Sequence, residues 1–156
     1  MKLCMVGTGY VGLVSGVCFS DLGNTVYCVD KNKEKIKSLN NGLVPIYEPG
    51  LDEILRRNHK AKRLIFTTDL KKAVSNSDII FICVGTPTKK NSNSADLKYV
   101  FDVAHILKKI ISKYKIIITK STVPVSTGDK IENILKNLKK RKLVDVVSNP
   151  EFLREG

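Results

Sequence analysis

Lys2-Leu3-Cys4-Met5-Val6-Gly7-Thr8-Gly9-Tyr10-Val11-Gly12 is the stretch whose reading decides the fold. The segment 2–6 is apolar and short, as a buried strand should be. From Tyr10 an apolar helical pattern runs to about residue 22. A second strand, 25–29, then ends in Asp30. Glycine spacing alone recurs by chance, but strand, Gly-rich turn, helix, strand and acidic residue in this order form a dinucleotide-binding unit. Each part has a physical task. Gly7 permits a tight turn, Gly9 lets a pyrophosphate approach the backbone, and Gly12 lets the helix pack closely on the sheet. The helix N-terminus offers N–H groups and partial positive charge to phosphate. Asp30 can accept hydrogen bonds from both hydroxyls of a ribose and would repel a 2′-phosphate, which favours NAD over NADP.

Working outward, strand and helix alternate along the whole chain. The pattern predicts helices at 31–40 and 51–58. Asn41-Gly42 stops the first, and Pro49 suits the first turn of the second. A strand at 64–67 precedes a short helix capped by Asp69. The uniformly apolar segment 79–84 reads as a strand covered on both faces. A polar loop, 89–94, leads to a helix at 97–112. A strand at 116–119, a helix at 127–138 and a last strand at 144–147 follow. Six strands with crossover helices predict an open, doubly wound parallel α/β sheet of Rossmann type, three layers deep, in the order 3-2-1-4-5-6. Ligands bind such sheets beyond the carboxyl ends of strands one and four. The turns at Gly7–Gly12, Asp30, Gly85-Thr86-Pro87, Ser121-Thr122 and Glu151–Glu155 all fall at that edge.

Composition narrows the classes. The 156 residues suffice for one domain with a real core. No run reaches the roughly 20 apolar residues of a membrane span. Glycines interrupt the N-terminal apolar stretch and no small-residue cleavage site follows, so the expectation is a cytoplasmic protein without a membrane association. Cys4, Cys18, Cys28 and Cys83 form no CxxC pair and read as small buried hydrophobes. His59 and His105 are isolated, and no metal site is expected. The net charge of +12, from 27 basic and 15 acidic residues, raises the question of nucleic acid. Yet the lysines are scattered, and the densest run, 136–142, lacks an aromatic residue for base stacking. No nucleic-acid partner is expected. A positive surface also attracts dinucleotides and nucleotide sugars.

The motifs Gly7-Thr8-Gly9-Tyr10-Val11-Gly12, Val29-Asp30, Tyr47-Glu48-Pro49-Gly50-Leu51, Val84-Gly85-Thr86-Pro87, Ser121-Thr122-Val123-Pro124 and Asn149-Pro150-Glu151-Phe152-Leu153-Arg154-Glu155-Gly156 occur in this order. Together they resemble the nucleotide-sugar 6-dehydrogenases, the UDP-glucose/GDP-mannose dehydrogenase family, and most closely its members acting on UDP-glucose. The likeness spans the chain. It implies oxidation of a sugar C6 alcohol to a carboxylate, UDP-glucose to UDP-glucuronate, in two hydride transfers to NAD through a cysteine thioester. GDP-mannose or a UDP-N-acetylhexosamine is an alternative substrate. A stand-alone NAD-binding module is an alternative role.

The resemblance also implies site residues. Gly7, Gly9, Tyr10, Val11 and Gly12 form the pyrophosphate turn. Asp30 and Lys35 take the adenosine ribose. Thr86 and Thr122 line the cofactor channel, and Thr122 helps hold a catalytic water. Glu151 matches a carboxylate acting with that water as base, and Glu155 a carboxylate near the nicotinamide. Glu151, Phe152, Leu153, Arg154 and Glu155 match a substrate-contacting segment. Read alone, Thr86 and Thr122 can be turn caps, Lys35 a solvated helix residue, and Glu151 and Glu155 ordinary exposed carboxylates. Glu48 reads as a helix-start residue favoured by the macrodipole. In the family a connecting helix and a second α/β domain follow, carrying the nucleophilic cysteine and most uridine contacts. On this likeness, residues 1–156 are the NAD-binding domain of a longer, homodimeric enzyme, incomplete for turnover alone.

Overall fold

The structure is a computed structural model that describes residues 1–89 and 94–153. Its six strands are β1 (Lys2–Val6), β2 (Thr25–Val29), β3 (Leu64–Thr67), β4 (Ile79–Ile82), β5 (Lys115–Thr119) and β6 (Val144–Ser148). All pair in parallel, in the order β3-β2-β1-β4-β5-β6. The expected order holds throughout.

Alternation along the strands divides the core in two, because successive side chains point to opposite faces. Leu3 and Met5 join Val26, Cys28, Leu64 and Phe66 under the first three helices, α1 (Tyr10–Asp21), α2 (Lys33–Asn40) and α3 (Leu51–Lys60). Cys4 and Val6 join Ile80, Ile82 and Ile117 on the other face. There α4 (Leu70–Ser75), α5 (Lys98–Ile110), α6 (Thr127–Ile134) and α7 (Lys136–Lys140) cover the sheet.

Helix α1 is apolar on nearly all sides because it lies between the sheet and α3. Its approach to the sheet depends on glycine. A Cβ at Gly12 would stand 2.0 Å from the Gly7 carbonyl oxygen, and one at Gly16 2.6 Å from the Cys28 sulfur.

Several boundaries differ from expectation, for identifiable reasons. Helix α2 begins at Lys33 because the Asn32 side chain caps it, accepting the Lys35 N–H at 3.0 Å. Pro49 lies outside α3. It occupies the second position of a turn in which the Leu51 N–H reaches the Glu48 carbonyl at 3.1 Å and Gly50, at φ 77°, takes the left-handed position. Strand β4 ends at Ile82, before Cys83 and Val84. The Lys120 and Ser121 N–H groups both turn onto the Ile82 carbonyl, at 2.9 and 3.1 Å. The expected helix 127–138 is two helices separated at Leu135, where the Leu138 N–H closes an i to i+3 bond onto the Leu135 carbonyl at 2.8 Å.

Among the cysteines, Cys4, Cys28 and Cys83 are buried, but Cys18 is exposed and is not the buried hydrophobe expected. It sits on the outward side of α1. The basic run 136–142 is solvated, with Leu138 alone turned inward.

Candidate functional site: a cleft at the carboxyl edge

Beyond β1 and β4 the sheet opens. Helix α1 leaves β1 on one face, and the chain after β4 passes to α5 on the other. The crevice between them is a cavity of about 660 Å³. Its lining includes Gly7 and Gly9 of the Gly-rich turn, Asp30, Lys31 and Lys35 after β2, Cys83, Val84 and Gly85 after β4, and one side of α5.

The floor is set by close backbone packing. Gly7 has φ 107°, and a Cβ there would lie 2.6 Å from the Cys83 carbonyl oxygen, so the turn after β1 can rest on the end of β4 only as glycine. Its N–H donates to the Val29 carbonyl at 2.8 Å, which binds the turns after β1 and β2 together. Gly9 is different. Nothing stands within 4 Å of the position its Cβ would take. That is open space at the N-terminus of α1, where Gly9 is the N-cap and no side chain caps the helix. An uncapped helix N-terminus beside open space suits a phosphate.

Asp30 is the best-held charged group of the cleft. Its Oδ2 accepts from the Thr8 N–H at 3.1 Å and the Thr8 hydroxyl at 2.7 Å, while its Oδ1 accepts from the Asn32 N–H at 3.0 Å. The Lys35 ammonium lies 3.5 Å from Oδ2 and donates to the Thr8 carbonyl at 3.3 Å. Burial pushes the Asp30 carboxyl toward the neutral form. The bonds from Asn32 and Thr8, with the charge of Lys35, outweigh it and hold the group below the usual carboxylate range. Asp30 is thus ionised and fixed in place while it still lines the cavity.

The opposite wall comes from α5. Tyr99, Asp102, Val103 and Ile106 line the cavity and fall at i, i+3, i+4 and i+7, one face of a helix. The Lys31 ammonium lies 4.7 Å above the Tyr99 ring, a cation–π contact across the mouth. Sequence reasoning placed none of these residues at the site, nor Lys31, Thr68 or Leu70. The helical spacing on α5 was the available signal.

The other expected residues are distributed as follows. Val11 and Gly12 lie in the first turn of α1, with Gly12 behind the cleft against Gly7 and Cys83. The Tyr10 hydroxyl donates to Glu48 Oε2 at 3.0 Å. Glu48 is therefore tied across to the Gly-rich turn, and is not the helix-start residue expected; Gly50 intervenes before α3. The Thr86 hydroxyl donates to the Thr122 carbonyl at 3.0 Å, which joins the turns after β4 and β5. Neither threonine is among the residues lining the cavity. The Ser121 hydroxyl donates to the Val84 carbonyl at 2.7 Å and braces the same junction. After β6, the Asn149 N–H donates to the Thr119 carbonyl at 3.0 Å. Glu151 accepts from the Leu153 N–H at 2.9 Å, and Phe152 is 91% exposed. Arg154 and Glu155 lie outside the described residues. Among the described residues there is no group of three His, Cys, Asp or Glu side chains able to hold a metal ion, and no helix long and apolar enough to cross a membrane.

The fold and the cleft define a Rossmann-type dinucleotide-binding domain. The chain belongs to the UDP-glucose/GDP-mannose dehydrogenase family, matching its NAD binding domain over residues 1–156. It is 52% identical, over all of its length and 36% of the relative's, to UDP-glucose 6-dehydrogenase of Rhizobium meliloti (strain 1021). It is 51% identical, over 99% of its length and 34% of the relative's, to UDP-glucose 6-dehydrogenase TuaD of Bacillus subtilis (strain 168). Among solved structures, a ternary complex of GDP-mannose dehydrogenase from Pseudomonas aeruginosa superposes with a TM-score of 0.93 at 40% identity, covering 99% of this chain and 37% of that one. The chain thus spans about a third of the length of the curated relatives it matches. NAD is the cofactor of the domain. The cleft fits it: a cavity of sufficient size, an open position at Gly9 beside an uncapped helix end, and an ionised carboxylate, Asp30, in the lining.

Proposed function

We propose that residues 1–156 form the NAD-binding domain of a nucleotide-sugar 6-dehydrogenase that converts UDP-glucose to UDP-glucuronate. The observation that carries the reading is the Asp30 cluster, held by Thr8, Asn32 and Lys35 at the mouth of the cleft. The UDP-glucose preference rests on the two curated relatives named above. GDP-mannose is the second reading, favoured by the 40% identity to the solved GDP-mannose dehydrogenase.

Bound NAD supplies the hydride acceptor. This chain's own residues bind and orient it. The turn at Gly7–Gly12, with Tyr10 and Val11, receives the pyrophosphate against the N-terminus of α1. Asp30 accepts from the ribose hydroxyls, and the hydrogen bonds from Asn32 and Thr8, with the charge of Lys35, keep that carboxylate charged. Thr86 and Thr122, joined by their hydrogen bond, border the nicotinamide end of the channel. Thr122 would help hold the water that releases the acid, and Glu151 would accept its proton. Glu151, Phe152, Leu153, Arg154 and Glu155 would contact the sugar nucleotide, with Glu155 also near the nicotinamide. On the family resemblance, the uridine contacts, the nucleophilic cysteine and the homodimer interface would come from outside these residues.

Calorimetric titration with NAD, with NADP as comparison, tests the cofactor reading. Saturable binding that prefers NAD is the expected result. A folded chain that binds neither would overturn it.

A further inference from the structure

We propose that Thr8 is a positioning residue that sets the dinucleotide preference of the cleft, by pinning Asp30 beside Lys35, in a cleft that Lys31 also lines, so that these lysines do not receive a 2′-phosphate. The proposal rests on the reading of the cleft as an NAD site.

The choice between NAD and NADP is ordinarily assigned to the acidic residue after the second strand. In this cleft an acid alone is not enough. Asp30 shares the lining with Lys31 and Lys35, and Lys35 is 3.5 Å from Oδ2. Two lysines in the lining that holds Asp30 offer cations of the kind a 2′-phosphate needs. A carboxylate able to rotate aside would leave them to it. Discrimination therefore depends on Asp30 staying where it is.

Thr8 supplies that constraint. The Gly-rich motif leaves its second position open to any residue, so the pattern assigns Thr8 no role. In the structure its N–H and its hydroxyl both converge on Asp30 Oδ2, at 3.1 and 2.7 Å. Thr8 is 1% exposed, which shields the hydroxyl from exchange with water. The Gly7 to Val29 bond holds the residue before Thr8 and the residue before Asp30 in register, so the approach is fixed by the sheet itself. The Thr8 carbonyl also accepts from the Lys35 ammonium at 3.3 Å. One residue thus holds the anion in the cleft and draws one of its two cations toward that anion. The other, Lys31, is engaged over the Tyr99 ring.

The test titrates the unaltered chain, Thr8→Val and Thr8→Ser with NAD and with NADP. Valine removes the hydroxyl at nearly constant volume, and serine keeps it. Loss of one charge-assisted hydrogen bond should weaken NAD roughly 5- to 10-fold in Thr8→Val while NADP binding holds or tightens. The NAD-to-NADP affinity ratio should therefore fall about tenfold, and Thr8→Ser should keep it within about twofold of the original. Thr8→Ala serves in place of valine if that variant fails to fold. An unchanged ratio in the hydroxyl-free variant, or an equal loss for both dinucleotides, would overturn the proposal while leaving the NAD reading intact. An unaltered chain that binds neither dinucleotide overturns both.

Discussion

The turn after β1 and the segment after β6 leave the same edge of the same sheet, yet they are held in different ways. Around the first, glycine backbone lies against strand ends, Asp30 accepts bonds on both oxygens, and Thr8 is almost wholly buried. Beyond β6, Asn149 still holds the end of β5: its N–H donates to the Thr119 carbonyl at 3.0 Å, and its Oδ1 accepts from the Lys120 ammonium at 3.4 Å. Among the described residues, Glu151 then accepts from the Leu153 N–H two residues along, and Phe152 and Leu153 are exposed. A pocket that is to bind a charged dinucleotide tightly needs its own charges in place before the ligand arrives. A segment with so few contacts contributes little to stability, so its residues answer to whatever they bind. The two regions should therefore respond to mutation in opposite currencies: stability and NAD affinity near β1, neither near β6.

The largest effect is expected at Gly12. In Gly12→Ala the new Cβ would overlap the Gly7 carbonyl oxygen, 2.0 Å away, with the Cys83 Cβ at 3.0 Å on the other side. Backbone cannot yield as a flexible side chain can, so α1 must move off the sheet. A loss of about 3 kcal/mol or more in urea unfolding is expected. A loss below about 1 kcal/mol would mean that the packing of α1 is loose, and the contrast with the β6 segment would fail.

Asp30 comes next. Asp30→Ala should weaken NAD by about 1–3 kcal/mol through lost charge-assisted bonds to the ribose, read by titration. The same group gives a pH signature. Its folded pKa lies below the unfolded one, so its stabilising contribution is fully present above the unfolded value, declines below it and is lost as pH falls through the folded value. The stability gap between the original chain and Asp30→Asn should be open near neutrality and close as pH drops below roughly 4. A gap that persists in acid would mean that the hydrogen-bond cluster does not depend on the carboxylate charge.

The thiols divide along the same line between packed interior and open surface. Burial pushes Cys83, under the Gly-rich turn, up to about 12, and raises Cys4 and Cys28 as well. Cys18 is also raised, by partial burial and the charges of Asp21 and Glu48, but it is exposed. An alkylating reagent at mildly alkaline pH should modify Cys18 slowly and the other three only after unfolding. Rapid labelling of Cys83 in the native protein would show that the floor of the cleft opens.

What could be read from sequence follows the range of the interaction. The glycine turn, Asp30 and the strand order are local or follow from handedness and alternation, and the structure keeps all of them. The role of Glu48 is not legible locally, because its partner, Tyr10, is 38 residues away and no local propensity reports such a bond. The exposure of Cys18 is not legible, because α1 is apolar on nearly all sides, so periodicity cannot say which side faces water. The break at Leu135 has no glycine or proline to announce it. The α5 wall was readable in principle from its i, i+3, i+4, i+7 spacing. Its polar member, Asp102, stands in a stripe that otherwise resembles ordinary core.

The smallest effect should come from the β6 side. Phe152 is a large aromatic residue at 91% exposure, and truncating it removes almost no buried surface in this chain. Phe152→Ala should therefore change unfolding stability by less than about 0.5 kcal/mol and leave NAD affinity unaltered. A fall in stability of about 1 kcal/mol or more would mean that the ring packs against the domain in solution. The segment would then belong to the pre-formed part of the edge, and the distinction between the two regions would reduce to their distance from Asp30. An unaltered stability together with a raised KM for the sugar nucleotide, measured in an enzyme of the relatives' full length, would place the ring at the substrate and sharpen the division between a pocket fixed in advance and a segment ordered by its ligand.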